Sequence, residues 1–214
     1  TADNRFTPGQ GYAYDKTGNL IQDAIGQRFA YDAEGRQTQF FSQANGTSTP
    51  DASYQYDGEG HRVRKLAGSS ETVFVYDAGA ALIAEYSNEL SANPKTSYLT
   101  PDHLGSPRIV TNQLAQVVSR HDYMGFGEEV LMNLANRSAI AGYGATDGIR
   151  QQFTAYERDT ESGLDYAQAR YYNSRHGRFT SPDPLTASAT IRNPQTFNRY
   201  SYVMNNPLSF TDPS

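Results

Sequence analysis

The chain has 214 residues, of which 37% are hydrophobic, and its formal net charge is −5. Its mean hydropathy of −0.69 favours a shell or an open sheet over a thick two-layer core. Its negative net charge is not typical of a nucleic-acid-binding protein, so no nucleic-acid partner is assigned. The absence of Cys excludes disulfides and thiolate catalysis, and no apolar run reaches the roughly 18 residues that span a membrane.

The first predicted unit is a Tyr-Asp dipeptide that occurs four times in the first eighty residues. In three copies a Gly follows three residues after the Asp, and the fourth copy is one residue shorter. The Tyr closes a strand, the Asp takes the first turn position, and the Gly supplies the positive φ that reverses the chain, so the pattern predicts an array of antiparallel β-hairpins. The copies are Tyr14-Asp15-Lys16-Thr17-Gly18, Tyr31-Asp32-Ala33-Glu34-Gly35, Tyr56-Asp57-Gly58-Glu59-Gly60 and Tyr76-Asp77-Ala78-Gly79.

Aromatic residues alternate next to these turns, which is typical of strands with one buried face. A Tyr ring on that face buries apolar area while its hydroxyl still reaches a polar partner. A second interpretation is that the rings form an exposed row that binds carbohydrate. Burial of Tyr14, Tyr31 and Tyr56 favours a wall, whereas a coplanar exposed row favours sugar binding. The alternating pairs are Tyr12/Tyr14, Phe29/Tyr31, Tyr54/Tyr56 and Phe74/Tyr76.

Three segments are predicted along the chain. Residues 1–97 form the Tyr-Asp hairpins, interrupted by an exposed polar loop at residues 43–50. Residues 98–149 continue as a β-meander with a loop insertion, in which residues 131–135 fit either a short helix or a loop. Residues 150–214 form the predicted C-terminal plug. Its last segment, from Ser181 to Ser214, contains many Pro, Asn and Asp residues, which predicts ordered turns with little regular structure.

The motifs together resemble those of the Rhs and YD-repeat family of large secreted bacterial shell proteins, and the resemblance covers nearly the whole chain. Residues 150–214 resemble the repeat-associated core of that family. Besides the Tyr-Asp repeats, the motifs that carry the resemblance are Asp102-His103-Leu104-Gly105-Ser106-Pro107-Arg108, Tyr123 with Gly125-Phe126-Gly127-Glu128, Glu157-Arg158-Asp159-Thr160-Glu161-Ser162-Gly163-Leu164-Asp165-Tyr166, Ala169-Arg170-Tyr171-Tyr172, Gly177-Arg178-Phe179-Thr180-Ser181-Pro182-Asp183-Pro184, Asn198-Arg199-Tyr200-Ser201-Tyr202-Val203 and Asn205-Asn206-Pro207-Leu208.

The resemblance implies an all-β fold: a sheet of antiparallel β-hairpin repeats that spirals into a shell, with the core motif curling inward as a C-terminal plug. It also implies that the intact protein encloses a toxic C-terminal domain and cuts itself beyond a final Asp-Pro-x-Gly motif. The printed sequence stops at Asp212-Pro213-Ser214, one residue short of that Gly, and its start lacks a signal region, as expected of a fragment.

The resemblance further implies a self-cleavage site. Asp183 and Asp212 match the aspartyl pair of the family, and Arg170 matches its associated Arg, which can orient a carboxylate. Two neighbouring carboxylates share one proton and can thereby activate water or a carbonyl. The competing interpretation is that both Asp-Pro dipeptides only start turns and that Arg170 ties the plug to the wall.

No cofactor and no metal site is predicted. The four His residues lie in separate segments without metal-ligand spacing, and His103 is interpreted as a hydrogen-bonding turn residue. The acidic pairs Asp32/Glu34 and Asp57/Glu59 are interpreted as solvated turn residues, because no run supplies the spaced oxygens of a calcium loop.

The leading hypothesis is therefore a structural one. The chain is expected to form part of the shell of a protein that is secreted or sits on a bacterial cell surface, and to turn over no substrate apart from self-cleavage. Expected partners are the rest of the parent shell or other copies, which would pair with exposed edge strands, and an enclosed C-terminal toxin domain. The alternatives are a self-assembling or adhesive surface module and a carbohydrate partner.

Overall fold

A computed structural model describes the strands and short 3-10 segments of the chain. The described residues are 4–7, 9–42, 48–88, 96–130, 132, 134, 136–184 and 193–212. The strands are β1 (Ala13–Tyr14), β2 (Leu20–Gln22), β3 (Arg28–Tyr31), β4 (Gln37–Phe41), β5 (Ala52–Tyr56), β6 (Arg62–Ala67), β7 (Ser70–Tyr76), β8 (Leu82–Ser87), β9 (Ser97–Pro101), β10 (Pro107–Asn112), β11 (Val117–Arg120), β12 (Glu157–Asp159), β13 (Leu164–Ala167), β14 (Arg170–Asn173) and β15 (Arg178–Phe179). The 3-10 segments are Ala139–Ala141, Phe153–Ala155, Pro194–Phe197 and Val203–Asn205.

The described strands form three antiparallel sheets. The first sheet has eight strands in the order β1 to β8, so each strand pairs with its neighbour in sequence. The second sheet has the order β11-β10-β9, and the third has the order β12-β13-β14-β15. The predicted all-β fold of consecutive hairpins is therefore confirmed. None of the helices in the described part of the chain is long and apolar enough to cross a membrane.

An Asp side chain organises each Tyr-Asp turn. At Asp32, the side-chain Oδ1 accepts the N–H groups of Glu34 at 3.0 Å and Arg36 at 2.9 Å. At Asp57, Oδ1 accepts the corresponding N–H groups of Glu59 and His61, both at 2.9 Å. The carboxylate thus satisfies backbone donors that the tight reversal leaves without sheet partners. Turns at Asp23, Asp102 and Asn112 share this geometry although no Tyr precedes them.

The fourth Tyr-Asp copy has the same turn length as the others, which corrects the shorter pattern seen in the sequence. Asp77 Oδ1 accepts the N–H groups of Gly79 at 2.8 Å and Ala81 at 2.9 Å, as in the second and third copies. The position with positive φ is Ala80, at 64°, where the third copy has Gly60 at 92°. Hydrogen bonding and pairing of the flanking strands therefore hold an Ala in a backbone region that Gly prefers.

Tyr hydroxyls tie each Tyr-Asp repeat to the one before it. The Tyr31 hydroxyl donates to the Leu20 carbonyl at 2.9 Å, and the Tyr56 hydroxyl donates to the Gln37 carbonyl at 2.6 Å. The Tyr76 hydroxyl donates to the carbonyl of Arg62 at 3.1 Å. Each acceptor is the first residue of the strand that leaves the preceding turn. The rings of Tyr14, Tyr31 and Tyr56 are partly buried against the core, which favours the wall interpretation over an exposed sugar-binding row.

The third sheet is buried on both faces. Tyr166 and Tyr171 pair across β13 and β14 and pack on the first sheet, so that sheet is covered rather than open over this stretch. On the opposite face, Tyr172 packs with Phe179 and Tyr202. The first cluster consists of Leu20, Phe29, Phe40, Ala52, Tyr54, Leu164, Tyr166 and Tyr171, and the second of Phe153, Tyr156, Ala167, Tyr172, Phe179 and Tyr202.

A buried Arg connects the first sheet to the third. The side chain of Arg62 in β6 is 0% exposed, and its Nη1 lies 2.6 Å from Asp159 Oδ2 while its Nη2 lies 2.9 Å from Glu157 Oε2. Nη1 also donates to the Tyr171 hydroxyl at 2.8 Å, and the guanidinium carbon lies 4.2 Å from the centroid of the Tyr166 ring. A buried guanidinium needs such compensation, because its desolvation is costly.

Lys65 extends this ionic cluster along β6. Its Nζ lies 2.7 Å from Asp159 Oδ1 and 3.1 Å from Glu161 Oε2. Burial alone would raise the pKa of Asp159, but the adjacent charges of Arg62 and Lys65 outweigh it and hold that pKa below its usual range. The acidic residues of the Glu-Arg-Asp-Thr-Glu motif therefore form ion pairs with Arg62 and Lys65, two cationic side chains of the first sheet.

Two sequence predictions fall partly outside the described residues. The polar loop at residues 43–50 is described only from Ser48, where Ser48 and Thr49 are exposed. In the segment 131–135, residues 131, 133 and 135 lie outside the described part, while Met132 lies in a turn and Leu134 in a bend.

We predict that replacing Ala80 by Gly stabilises the protein. The Ala pays a left-handed penalty of about 1–2 kcal/mol, whereas Gly costs about 0.5–1 kcal/mol of additional unfolded-state entropy. The free energy of unfolding should therefore rise by up to about 1 kcal/mol, measured by urea denaturation. Ala78→Gly in the same turn is the matched control, since Ala78 is not among the residues with positive φ, and should not stabilise. Equal effects of the two substitutions would contradict the turn assignment.

We predict a large stability loss for Arg62→Met, because the change removes the buried cation that Glu157 and Asp159 share and leaves only Lys65 beside Asp159. The expected loss is about 3–5 kcal/mol. Arg64→Met on the same strand is the matched control, because the Arg64–Glu71 pair is 41% and 40% exposed, and should cost at most about 1 kcal/mol. Both are measured by urea unfolding at neutral pH.

The difference in the free energy of unfolding between wild type and Arg62→Met, called the gap below, should depend on pH. The pKa of Asp159 is lowered in the folded state, so the contribution of the pair is fully present above the unfolded-state pKa of about 4 and is lost as the pH falls through the lower folded-state value. The gap should therefore narrow in acid. A gap that is small at neutral pH, or that grows in acid, would contradict this account.

Candidate functional site

The three residues predicted to form a self-cleavage site line one cleft. Arg170 begins β14, Asp183 follows β15, and Asp212 lies in the last described segment. The cleft has a volume of about 380 Å³, and its other lining residues include Arg199 and Phe210. The structure therefore brings together side chains that are up to 42 positions apart in the sequence.

Arg170 is the centre of the cleft. Its Nη2 lies 2.9 Å from Asp212 Oδ2, and its Nη1 donates to the carbonyl of Arg199 at 3.2 Å. The guanidinium carbon lies 3.6 Å from the centroid of the Phe179 ring, so that the two groups form a cation–π contact. Burial lowers the pKa of Arg170, and the charges of Asp212 and Asp183 oppose that shift. The charge of Arg170 thus interacts with both Asp residues.

Arg199 was not singled out as a site residue by the sequence reasoning. The N–H of Asp183 donates to the Arg199 carbonyl at 2.9 Å, and Arg199 Nη2 donates back to the Asp183 carbonyl. The Arg199 carbonyl therefore anchors both Asp183 and Arg170. The only sequence signal for this residue was its place in the Asn198-Arg199-Tyr200 motif, which does not reveal that its side chain reaches the Asp183–Pro184 peptide bond.

A second polar cluster surrounds His121. Its Nδ1 lies 2.8 Å from Glu129 Oε1, and its Nε2 lies 2.8 Å from Asp147 Oδ2 and 3.1 Å from Ser119 Oγ. The hydrogen bonds to Asp147 and Glu129 raise the pKa of His121 to about 9, despite burial. The ring is therefore a cation at neutral pH and cannot accept the Ser119 proton, so this cluster clamps β11 to the two acidic loop residues and does not act as a nucleophilic triad.

The remaining His residues have structural partners: His61 and His103 at their turns, and His176 with the Tyr12 hydroxyl at 3.2 Å. His103 lies in its predicted turn, and its Nε2 is 3.1 Å from the Leu208 carbonyl. Within the described residues, one group offers possible metal ligands within 4.8 Å of one another, namely Asp57, Glu59 and His61. Asp57 Oδ1 is engaged by the turn N–H groups, and Oδ2 lies 3.2 Å from His61 Nδ1. The turn accounts for this arrangement, so we assign no metal to it.

Comparison with known proteins shows a family match over most of the chain. The family described as Teneurin YD-shell matches residues 67–208. The tRNA nuclease WapA of Bacillus subtilis is 30% identical over 220 residues, which cover 95% of this chain and 9% of the relative. Toxin subunit YenC1 of Yersinia entomophaga is 26% identical over 98% of this chain and 22% of the relative. The chain thus spans only a small part of these relatives.

A crystal structure of TcdB2-TccC3 has a similar fold. Its TM-score is 0.68 at 22% identity, and the match covers 94% of this chain and 11% of that one. At this identity the likeness concerns the fold alone, and it agrees with the consecutive antiparallel hairpins and the core-motif sheet described above. The chain belongs to the Rhs and YD-repeat family, as the YD-shell match shows together with the Tyr-Asp turns and the repeat-associated core motifs.

Proposed function

We propose that this chain forms part of the wall of a YD-repeat shell and that its core motif closes the shell as a plug. The observation that carries the proposal is the buried attachment of the third sheet to the first through Arg62, Asp159 and Glu157. An eight-stranded sheet that packs on one face of a motif buried on both faces is suited to seal a compartment, because the plug cannot leave without exposing these charges.

In the intact protein, the shell would enclose or present a C-terminal domain outside the cell or at its surface. The names of relatives support this role, since one is a toxin subunit and another is a tRNA nuclease. The chain matches only 9% of the length of that nuclease, so nuclease activity is not proposed for the residues described above. Their contribution is structural.

The cleft around Arg170 would cut the chain beyond residue 214 and release the enclosed domain. Asp183 and Asp212 would share a proton, so that one carboxyl group donates a proton while the other activates water. Arg170, whose Nη2 lies 2.9 Å from Asp212 Oδ2, would hold that side chain in place.

We predict that a chain extended beyond Ser214 through an Asp-Pro-x-Gly motif cuts itself after folding. Asp183→Asn or Asp212→Asn should stop the cut, because each removes one partner of the proton-sharing pair. Asp77→Asn, in a turn of the hairpin sheet, is the matched control and should cut normally. The products are measured by denaturing gel and mass spectrometry, and an uncut extended wild-type chain would refute the activity.

The edge strands of the first and second sheets would pair with the rest of the parent shell or with other copies. Among the described strands, β8 ends the first sheet and β9 ends the second. In β8 the side chains of Ile83 and Tyr86 are 62% and 66% exposed, and all five residues of β9 are exposed. A strand at a sheet edge that carries exposed apolar side chains favours strand addition.

We predict that the 214-residue chain associates with itself at micromolar concentration and that the double change Ile83→Lys and Tyr86→Lys reduces this association. Charges on an edge strand disfavour pairing. Val75→Lys is the control, since Val75 is 37% exposed but lies on β7, which is paired on both sides. Masses are measured by light scattering, and a strictly monomeric wild-type chain would overturn the proposal.

A further inference from the structure

The peptide bond between Asp183 and Pro184 lies at the candidate cleft, and its carbonyl oxygen accepts a hydrogen bond from a guanidinium group. Arg199 Nη2 donates a hydrogen bond to the Asp183 carbonyl oxygen, and this oxygen belongs to the Asp183–Pro184 bond itself. The backbone of Asp183 is fixed from the other side, because its N–H donates to the Arg199 carbonyl at 2.9 Å. Arg170 holds the same Arg199 carbonyl at 3.2 Å.

We infer that the fold promotes hydrolysis of the Asp183–Pro184 bond within this chain, with Arg199 as the group that stabilises the oxyanion. In an Asp-Pro bond, the Asp side-chain carboxylate can attack the carbonyl carbon of the same residue and close a five-membered ring. The nitrogen that leaves belongs to a tertiary amide. The chemistry is intramolecular acyl transfer, and the substrate is the chain itself. This reaction is independent of a cut beyond residue 214.

The steps balance as an ordinary peptide hydrolysis. A carboxylate oxygen of Asp183 attacks its own carbonyl carbon, and the negative charge that develops on the carbonyl oxygen is met by the Arg199 guanidinium. The C–N bond then breaks, its electron pair leaves with the Pro184 nitrogen, and that nitrogen takes a proton from solvent. Water opens the cyclic anhydride, leaving Asp183 as one new terminus and Pro184 as the other.

Solvent reaches this bond in the folded protein. Asp183 and Arg199 are half-buried, and Phe210 in the lining of the cleft is 50% exposed. After the cut, residues 184–214 would remain attached, because Tyr202 is fully buried and the Tyr200 hydroxyl donates to the Gly18 carbonyl at 2.7 Å. The cut would therefore leave the native mass unchanged and would become visible only under denaturing conditions.

The sequence contains a second Asp-Pro bond, Asp212-Pro213, which reports general acid hydrolysis in the unfolded chain. The 214-residue chain is incubated at the lowest pH at which circular dichroism shows it folded, and in parallel at the same pH in guanidinium chloride. Fragments 1–183 and 1–212 are counted by mass spectrometry. We expect the yield of fragment 1–183 to be at least about tenfold higher in the folded chain than in the unfolded chain, which is a modest share of the usual effect of an oxyanion donor.

Two variants identify the groups responsible. Arg199→Lys keeps the charge but loses the planar guanidinium group, and Asp183→Glu enlarges the ring that forms on attack. Both should therefore reduce the yield of fragment 1–183 from the folded chain. A yield of fragment 1–183 in the folded chain equal to or below that in the unfolded chain overturns the inference. This comparison uses the wild-type chain alone, so it decides even if a variant fails to fold, and no product of a cut beyond residue 214 enters it.

Discussion

The burial of Arg62 is the constraint on which the rest of the structure depends. A guanidinium that is 0% exposed requires two carboxylates, and Asp159 and Glu157 can supply them only if the third sheet is docked on the first. The backbone of Arg62 joins the same network, because its N–H donates to the Tyr166 hydroxyl at 3.0 Å and its carbonyl accepts from the Tyr76 hydroxyl at 3.1 Å. One residue therefore couples a hairpin, the next hairpin and the plug.

The repeats prepare this contact by making each hairpin depend on its neighbour. Asp side chains satisfy the turn N–H groups locally, so the turns form without distant partners. Tyr hydroxyls then bind carbonyl groups of the preceding repeat, and the acceptor for Tyr76 is Arg62 itself. A small hydrophobic content can support such a sheet, because each Tyr contributes both buried ring area and a directional hydrogen bond.

The parts that the sequence predicted are those that local rules determine. The turns at Asp32 and Asp57 and the strand alternation at Tyr56 follow from residue types a few positions apart. The Arg62–Asp159 pair joins residues 97 positions apart, and no local pattern identifies which of 18 Lys and Arg residues is buried. Ala80 was missed because strand pairing, and not its own preference, sets its φ. Arg199 was missed because a motif shows neither direction nor partner. The boundaries at residues 97 and 149 and the catalytic roles in the cleft stay predictions.

Strand β14 connects the docking contact to the cleft, and this determines when the cleft can exist. Its consecutive residues Arg170, Tyr171 and Tyr172 face the cleft, Arg62 and the second core cluster, respectively. Because β14 cannot place Tyr171 against Arg62 without also fixing Arg170, the cleft is ordered only when the plug is docked. Any chemistry at Asp183 or Asp212 is thereby tied to completion of the fold, which allows a bond that is stable in the nascent chain to become reactive in the assembled one.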